Sequence, residues 1–322
     1  MIGHKSNQSK FSAHKLKKTL ILTSMVMPGA ILLFVMAYIP MGGSILAFKE
    51  YTLVPGAGFV HSLINSPWVG LRNFEFMFTT NTSWIMLRNT LAYNISWLVL
   101  TTIISITFAI LISEITKKFV GKVYQTIMFF PHFLSWVVIS CFFFIFLNPS
   151  GGVLNNILVS FGNEPIRWYF EPQYWPFILT IATVWRGTGF GSIFYLGAIA
   201  GIDRSMYESA MIDGASKLKQ IWYITLPSLK KMVIILTILG LGSIIRADFG
   251  LFYAVPRNSG PLFPVTQVLD TFVYRALMGT TGVQLPLGMA AATGFFQSTV
   301  GLIMILTVNA IVRKVDPDSS LF

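Results

Sequence analysis

Charged residues are scarce in this chain: Asp, Glu, Lys and Arg make up 11% of its 322 residues, against about 25% in an ordinary soluble domain. That deficit excludes a conventional water-facing surface, and a mean hydropathy of +0.68 agrees. Cysteine is nearly absent too, because Cys141 is alone and excludes an intramolecular disulfide. The phosphate-binding loop Gly-x-x-x-x-Gly-Lys-Ser/Thr is also missing, since Gly121-Lys122 is followed by Val123.

The chain contains several long stretches without a charged residue. A bilayer core about 30 Å thick needs roughly 20 apolar residues per helix, and four uncharged stretches are long enough: 19–48, 89–113, 123–163 and 276–312. Two further apolar segments contain charge, Arg186 in one and Arg246 with Asp248 in the other. We therefore predict an all-α integral membrane protein with six transmembrane helices, at about 19–41, 89–113, 124–147, 174–199, 232–255 and 287–312.

The basic residues are distributed unevenly over this topology. The net charge of +11 could indicate nucleic-acid binding in a soluble chain. With both termini inside, however, the inner segments carry 15 Lys and Arg residues and the outer loops 6, and such an excess is typical of the cytoplasmic side. We predict cytoplasmic N- and C-termini and contact with anionic membrane lipid, with no nucleic-acid partner.

The chain is interpreted as one membrane domain, 19–312, between a basic cytoplasmic tail (1–18) and a short cytoplasmic tail (313–322). The first apolar run is too long for a signal-peptide core, which spans about 7 to 15 residues, so we expect a retained signal anchor. No catalytic triad, paired carboxylates or His/Cys/carboxylate cluster is present, and neither catalysis nor a metal site is expected.

The cytoplasmic loop 201–231 is polar and charged, unlike the spans that flank it. Ser205 and Glu208 fit a capping box, which predicts a short helix from about Met206. Asp213-Gly214 predicts its end, because Gly adopts the left-handed conformation that terminates helices. Glu208 could cap its own helix or form an ion pair with a partner protein.

A second helix is predicted to begin after Ser216 in the same loop. Leu218, Ile221 and Trp222 share one face of it, and Pro227 restrains the exit into span five. Trp222 could pack under its own loop or dock against a partner. The expected product is a helix, a Gly turn and a helix exposed to the cytosol.

Polar side chains inside the spans form a second group of candidates. Arg246 and Asp248 are costly at membrane depth. Residues two apart do not face each other on a regular helix, so each needs another partner or a break near Gly240, Gly242 and Gly250. They could line a substrate path or pair with other helices. Arg186, near one predicted end of span four, is interpreted as structural or headgroup-binding.

A polar solute that crosses the membrane would require aromatic faces, amides or hydroxyls along its path. The chain supplies such residues within its spans. The candidates for a substrate path, together with Arg246 and Asp248, are Trp136, Asn94, Tyr195, Tyr253 and Gln297.

The loop resembles a known family. Glu208, Ala210, Gly214, Ile224, Leu226 and Pro227 match the "EAA" loop of binding-protein-dependent ABC importer permeases, in which Glu-Ala-Ala, three residues, Gly, nine residues and Ile-x-Leu-Pro recur. Only Ser209 departs from that pattern. Other segments resemble the carbohydrate-uptake branch, in particular the LplB and YtcP type associated with oligosaccharides and polysaccharides, including the alginate importer: 70–74, 89–91, 130–136, 151–155, 195–203 and 270–275. The large extra outer domain of the bigger maltose permease subunit is absent.

The resemblance implies a type I ABC importer permease fold and a non-catalytic subunit of the bacterial plasma (inner) membrane. Its partners would be a second homologous permease in a heterodimer, two ATPase subunits that bind ATP and Mg, and an extracytoplasmic solute-binding protein that delivers a saccharide. This chain itself would hold no cofactor. The residues expected to couple the chain to the ATPases are Glu208, Ala210, Asp213, Gly214, Leu218, Trp222 and Pro227.

Two alternatives to a saccharide importer stay open at this point. One is an ion- or proton-coupled transporter or channel that uses Arg246 and Asp248. The other is an ABC importer for a non-sugar solute, because other importer branches carry similar loops.

Overall fold

The computed structural model describes residues 5–56, 58–278, 286–317 and 320–321, with side chains from Lys18 onward. Parts of the predicted tails 1–18 and 313–322 therefore lie outside the described residues. Over the described ranges the chain is helical, with one isolated antiparallel bridge between Lys49 and Trp68 and no strand. The all-α prediction is confirmed for these ranges.

The described chain forms two compact units. The first unit contains the described residues up to Phe74 together with Pro286–Phe295. Its helices are α1 (Lys5–Leu33), α2 (Ile39–Met41), α3 (Phe59–Asn65) and the beginning of α16 (Leu287–Val315). A wider turn at Phe34–Tyr38 joins α1 to α2.

The run from Lys18 to Phe48 has the length and hydropathy of a membrane span, and none of its most apolar stretch is buried within the chain. Its end is fixed by Asn73, whose side-chain amide donates to the carbonyl oxygens of Ala47 (3.1 Å) and Lys49 (2.9 Å). The apolar surface of this span is therefore available to lipid or to another subunit.

The second unit contains the described residues of Glu75–Leu285 and those from Phe296 onward. Helix α5 packs along α9, and Trp97, Trp175 and Phe252 belong to the main hydrophobic core. Besides the remainder of α16, the helices are α4 (Phe76–Thr79), α5 (Asn81–Ser113), α6 (Lys118–Phe129), α7 (Trp136–Leu147), α8 (Val153–Ser160), α9 (Trp175–Ala200), α10 (Arg204–Ile212), α11 (Lys217–Gln220), α12 (Leu226–Gly242), α13 (Phe249–Ala254), α14 (Phe263–Thr266) and α15 (Leu269–Leu277).

Five described helical runs are long and apolar enough to cross a membrane: Lys18–Phe48, Asn81–Ser113, Pro172–Ala200, Lys217–Gly242 and Leu287–Val315. A sixth candidate is the pair Lys118–Phe133 and Trp136–Leu147, which is bent by 99°. The sequence predicted the third span at about 124–147, without this bend. The bend follows Pro131, and Ser135 starts a new helix by accepting a hydrogen bond from the Val138 amide (3.3 Å).

The bounds of the fifth span also differ from the prediction of 232–255. The helical run begins at Lys217, inside the loop 201–231, and ends at Gly242. Residues 243–248 then interrupt the helix before α13. The sequence left open a break near Gly240, Gly242 and Gly250, and polar contacts from distant residues stabilise the break that is observed.

Candidate functional site

The first helix of the loop 201–231 is α10, and its cap differs from the prediction. Asp203 is the N-cap, and its carboxylate accepts a hydrogen bond from the Ser205 amide (3.0 Å). The predicted capping box of Ser205 and Glu208 is therefore wrong, and the helix begins at Arg204. The hydrogen bonds from Ser205 lower the pKa of the exposed Asp203 carboxyl, as expected when the charged form accepts them.

The end of α10 follows the predicted glycine turn. Gly214 has a φ of +74°, which confirms the left-handed conformation. Its amide donates to Met211, and the Ala215 amide donates back to the Ala210 carbonyl (2.8 Å). These two bonds form the Schellman pattern, in which the last free carbonyls of a helix find partners. Ala210 thus contributes a backbone acceptor to the turn.

The second helix of the loop is continuous with span five, where the sequence predicted a separate helix. Ser216 precedes α11 without a side-chain cap, and a wider π turn, Ile221–Thr225, joins α11 to α12. Pro227 lies in the first turn of α12. Because proline has no N–H and its ring crowds the carbonyl four residues earlier, the wider turn accommodates it without a helix break.

Internal hydrogen bonds hold the two helices of the loop together. The Tyr207 and Thr225 hydroxyls lie 2.9 Å apart, and Gln220 donates to the Ala215 carbonyl (3.1 Å). Lys217 forms a 2.9 Å salt bridge to Glu114 at the end of α5, an exposed pair of the kind that contributes little stability.

A set of large apolar side chains faces away from these contacts, and we call it the coupling face. Ile212 is 87% exposed and Trp222 is 66% exposed, so Trp222 does not pack under its own loop. Glu208, Asp213 and Pro227 are also exposed. Large apolar side chains that are exposed on a polar loop can bind another molecule. The coupling face consists of Met211, Ile212, Leu218, Trp222 and Tyr223.

A separate cavity of about 560 Å³ lies within the second unit. It is bounded by α5, α9, the bend before α7 and the interruption of span five. Its polar and aromatic lining residues are Asn94, Trp97, Thr101, His132, Trp136, Thr183, Arg186, Phe190, Ser243, Arg246 and Asp248.

The interruption accounts for the two charged residues of span five. Arg246 donates to the Ser298 hydroxyl (2.8 Å). Asp248 caps α13 by accepting from the amides of Gly250 (3.0 Å) and Leu251 (3.4 Å). The two residues thus have separate partners at a helix break, one of the arrangements that the sequence left open.

Trp136 joins two charged groups across the cavity. Its indole N–H donates to Asp248 (2.6 Å), and the guanidinium of Arg186 lies over its ring at 4.6 Å from the centroid. Arg186 also donates to the Leu134 carbonyl (3.3 Å). The expectation that Arg186 lies near an end of span four is wrong, because the residue is in the interior of α9.

Arg186 and His132 are cavity residues that our substrate-path prediction missed. The imidazole of His132 stacks on Phe190, with ring centroids 4.2 Å apart. The intramembrane charge of Arg186 was a usable signal, but its place in the helix was misjudged. No group of three or more metal-ligating side chains occurs in the described part of the chain.

Three predicted substrate-path residues lie elsewhere. Tyr195 is 2% exposed and packs in a core cluster with Ala109 and Leu229. Tyr253 packs against Phe249, with ring centroids 5.1 Å apart. Gln297 is buried. The structure therefore brings Asn94, Trp136, Arg246 and Asp248 to one cavity and places these three residues outside its lining. The substrate path itself stays a prediction.

Comparison with known proteins places this architecture in a family. Residues 101–317 match the family described as the binding-protein-dependent transport system inner membrane component. The chain is 32% identical over 311 residues to the polygalacturonan/rhamnogalacturonan transport system permease protein YteP of Bacillus subtilis (strain 168), covering 94% of this chain and 93% of YteP. It is 32% identical to protein LplB of the same organism over 303 residues, covering 94% and 92% of the two chains.

A solved structure has the same fold. The crystal structure of a bacterial ABC transporter involved in import of the acidic polysaccharide alginate matches with a TM-score of 0.80 and 29% identity, over 94% of this chain and 98% of that one. The same transporter is also known in complex with its alginate pentasaccharide-bound periplasmic protein (TM-score 0.79). The chain belongs to the family of binding-protein-dependent transport system inner membrane components and is a permease of the ABC importer type.

Proposed function

We propose that this permease carries an acidic oligosaccharide, such as a short uronic acid chain. The observation that supports this most directly is the pair of guanidinium groups at one cavity, Arg186 and Arg246. Within the described chain no carboxylate lies within salt-bridge distance of either one. A guanidinium has five N–H donors, so both groups retain donors for a carboxylate of the cargo.

The similar proteins agree with an acidic cargo. YteP is named for polygalacturonan and rhamnogalacturonan, and the alginate transporter for an acidic polysaccharide. The cavity also offers aromatic surfaces at Trp97 and Phe190, which suit the C–H faces of sugar rings.

Uptake by the reconstituted transporter tests this cargo. Wild type is expected to take up an oligogalacturonide in preference to its methyl ester, and Arg246→Gln and Arg186→Gln to reduce that preference about tenfold, as the loss of a charge-assisted hydrogen bond predicts. Arg72→Gln is the matched control, because Arg72 forms only an exposed 3.7 Å pair with Glu50. Equal uptake of the acid and the ester by wild type would refute the acidic cargo.

The same proposal assigns the coupling face to a groove of a partner ATPase. Two such ATPases would bind ATP and Mg, and rigid-body movement of the loop 208–227 would switch the spans between outward and inward access. Uptake should then require ATP and the ATPase subunits. Uptake that follows an imposed proton gradient without them would favour an ion-coupled transporter.

The proposed assembly contains a second homologous permease, in a heterodimer, and an extracytoplasmic solute-binding protein in a bacterial plasma membrane. Both termini of this chain would be cytoplasmic. A cysteine at Ser320, in a Cys141→Ser background, should react with an impermeant maleimide in right-side-out vesicles only after permeabilisation. Labelling of intact vesicles would reverse this topology.

A further inference from the structure

The interruption of span five leaves backbone groups that a continuous helix would pair internally. At membrane depth such groups need protein partners or water. Asn94 on α5 supplies two of these partners, because its side-chain amide donates to the carbonyl oxygens of Ile244 (2.6 Å) and Arg246 (2.8 Å). The carbonyl between them, on Ile245, accepts from Gln297 on α16 (3.1 Å).

Asp270, in the first turn of α15, completes this arrangement. One oxygen of its carboxylate accepts from the Ala247 amide (2.9 Å) and from the Gln297 side chain (3.1 Å). An ionised carboxylate only accepts hydrogen bonds, so Asp270 fixes the Gln297 amide with its NH₂ group toward the interruption. We name Asn94, Asp270 and Gln297 the clamp.

The clamp holds the backbone on both sides of Arg246. Ile245 is bound by Gln297, Ala247 is bound by Asp270, and the Arg246 carbonyl itself is bound by Asn94. The guanidinium of Arg246 donates to Ser298, the residue after Gln297 on α16. Neither Asp270 nor Gln297 lines the cavity, so both act on the cavity through Arg246.

We propose that Asp270 is a positioning residue that, through Gln297 and the Ala247 amide, directs the Arg246 guanidinium into the cavity and so sets the preference for acidic over neutral saccharides. The selectivity part rests on the proposed cargo. The structural part does not, because it concerns only the backbone hydrogen bonds of residues 243–248.

Hydrogen exchange in the complete transporter tests the structural part. Asp270→Ala should accelerate exchange of a peptide spanning residues 243–248 about tenfold, because the Ala247 amide loses a charged acceptor. Asp270→Asn should stay near wild type, since an amide oxygen can accept the same two bonds. Thr293→Val is the matched control, because this buried hydroxyl on α16 bonds only to its own helix at Met289. Unchanged exchange in Asp270→Ala would overturn the clamp.

Selectivity is measured as the ratio of kcat/KM for oligogalacturonide over its methyl ester. Asp270→Ala and Gln297→Leu should lower this ratio about fivefold, mainly by raising KM for the acid, a loss of the size expected for a displaced charge-assisted hydrogen bond. Asp270→Asn should restore the ratio, and Thr293→Val should leave it unchanged. If Asp270→Ala fails to assemble, Gln297→Leu carries both measurements.

Different results would contradict the positioning role of Asp270 and the acidic cargo. A wild-type ratio in Asp270→Ala, with a lowered ratio in Arg246→Gln, would overturn the positioning role and leave the acidic cargo intact. A wild-type ratio in Arg246→Gln would refute the selectivity role of Arg246, and with it that of Asp270, whereas equal uptake of acid and ester by wild type would refute the acidic cargo. In either case the exchange result would still decide whether the clamp holds the interruption.

Discussion

The loop 201–231 and the cavity of this permease are assembled in opposite ways. In the loop, the cap, the glycine turn and most of the internal bonds join near neighbours in sequence. The cavity brings together distant segments: Asn94 bonds to backbone 150 and 152 residues away. A short motif can therefore specify the loop, whereas the cavity depends on the whole packed unit.

The two regions also place side chains in opposite environments. The loop exposes Ile212 and Trp222 on a polar segment, whereas the cavity holds Arg186 in an apolar helix and Arg246 and Asp248 in the interruption of another. Exposed apolar groups and buried charges are both unfavourable without a partner. The partners that we propose differ accordingly: an apolar protein groove at the loop and a polar, anionic cargo in the cavity.

The largest expected effect comes from the turn of the loop. In Gly214→Ala the backbone of an alanine must adopt a φ of +74°. This strain costs about 1 to 3 kcal/mol and displaces the second helix. We expect ATP-driven uptake to fall by about tenfold to a hundredfold, while cargo binding to the cavity persists. Gly201→Ala, at a φ of −85°, is the control. Normal uptake in Gly214→Ala would mean that the turn geometry does not transmit force.

A smaller effect is expected from a substitution at Gly250, which packs against the cavity residue Trp136. A Cβ at Gly250 would lie 2.5 Å from the Trp136 ring, so Gly250→Ala must move the indole away from Asp248 and Arg186. KM for the cargo should rise about tenfold, the equivalent of about 1.4 kcal/mol, with basal ATP hydrolysis unchanged. Gly197→Ala, whose Cβ meets nothing within 4 Å, should behave as wild type. An unchanged KM in Gly250→Ala would mean that the position of the Trp136 indole does not affect cargo binding.

The local structure of the loop could largely be predicted from the sequence. The left-handed Gly214 follows from a turn signal a few residues long. The cap was chosen wrongly, because Asp203 and Ser205 are both good N-cap residues and the capping pattern with Glu208 favoured the later one. Such competition between neighbours shifts an element boundary without changing the element.

The cavity was only partly predictable, because its geometry depends on long-range pairing. The glycine-rich stretch indicated a break in span five, but nothing local identifies Asn94, Asp270 and Gln297 as its partners. We assigned Asn94 and Gln297 to a sugar, since a side-chain amide suits a ring hydroxyl and a backbone carbonyl equally well. The sequence identifies these two amides as hydrogen-bond donors, but only the folded structure shows that they donate to backbone carbonyls.

Trp222 tests whether the coupling face acts as a binding surface. Trp222→Ala should leave thermal stability unchanged because the indole is exposed, yet weaken association with the ATPase about fivefold, as loss of a central aromatic anchor worth more than about 1 kcal/mol predicts. Trp84→Ala is the control, since Trp84 is 65% exposed on a different helix. Wild-type association in Trp222→Ala would mean that Trp222 does not contribute to the interface with the ATPase.

The smallest effect concerns the cap of α10 and its pH dependence. Because hydrogen bonds from Ser205 lower the Asp203 pKa below its usual 3.8, the charged cap stabilises α10 above that pH and loses its effect as the pH falls through the lowered pKa. At neutral pH, Asp203→Ala should accelerate hydrogen exchange at 204–207, and Asp203→Asn should accelerate it less, because Asn caps a helix but lacks the favourable negative charge at its N-terminus. Below pH 3.8 the difference between wild type and Asp203→Ala should shrink. A difference that persists there would mean that the carboxylate charge contributes nothing to the cap. The cavity should not respond to either variant, since the cap acts only on its own first turn.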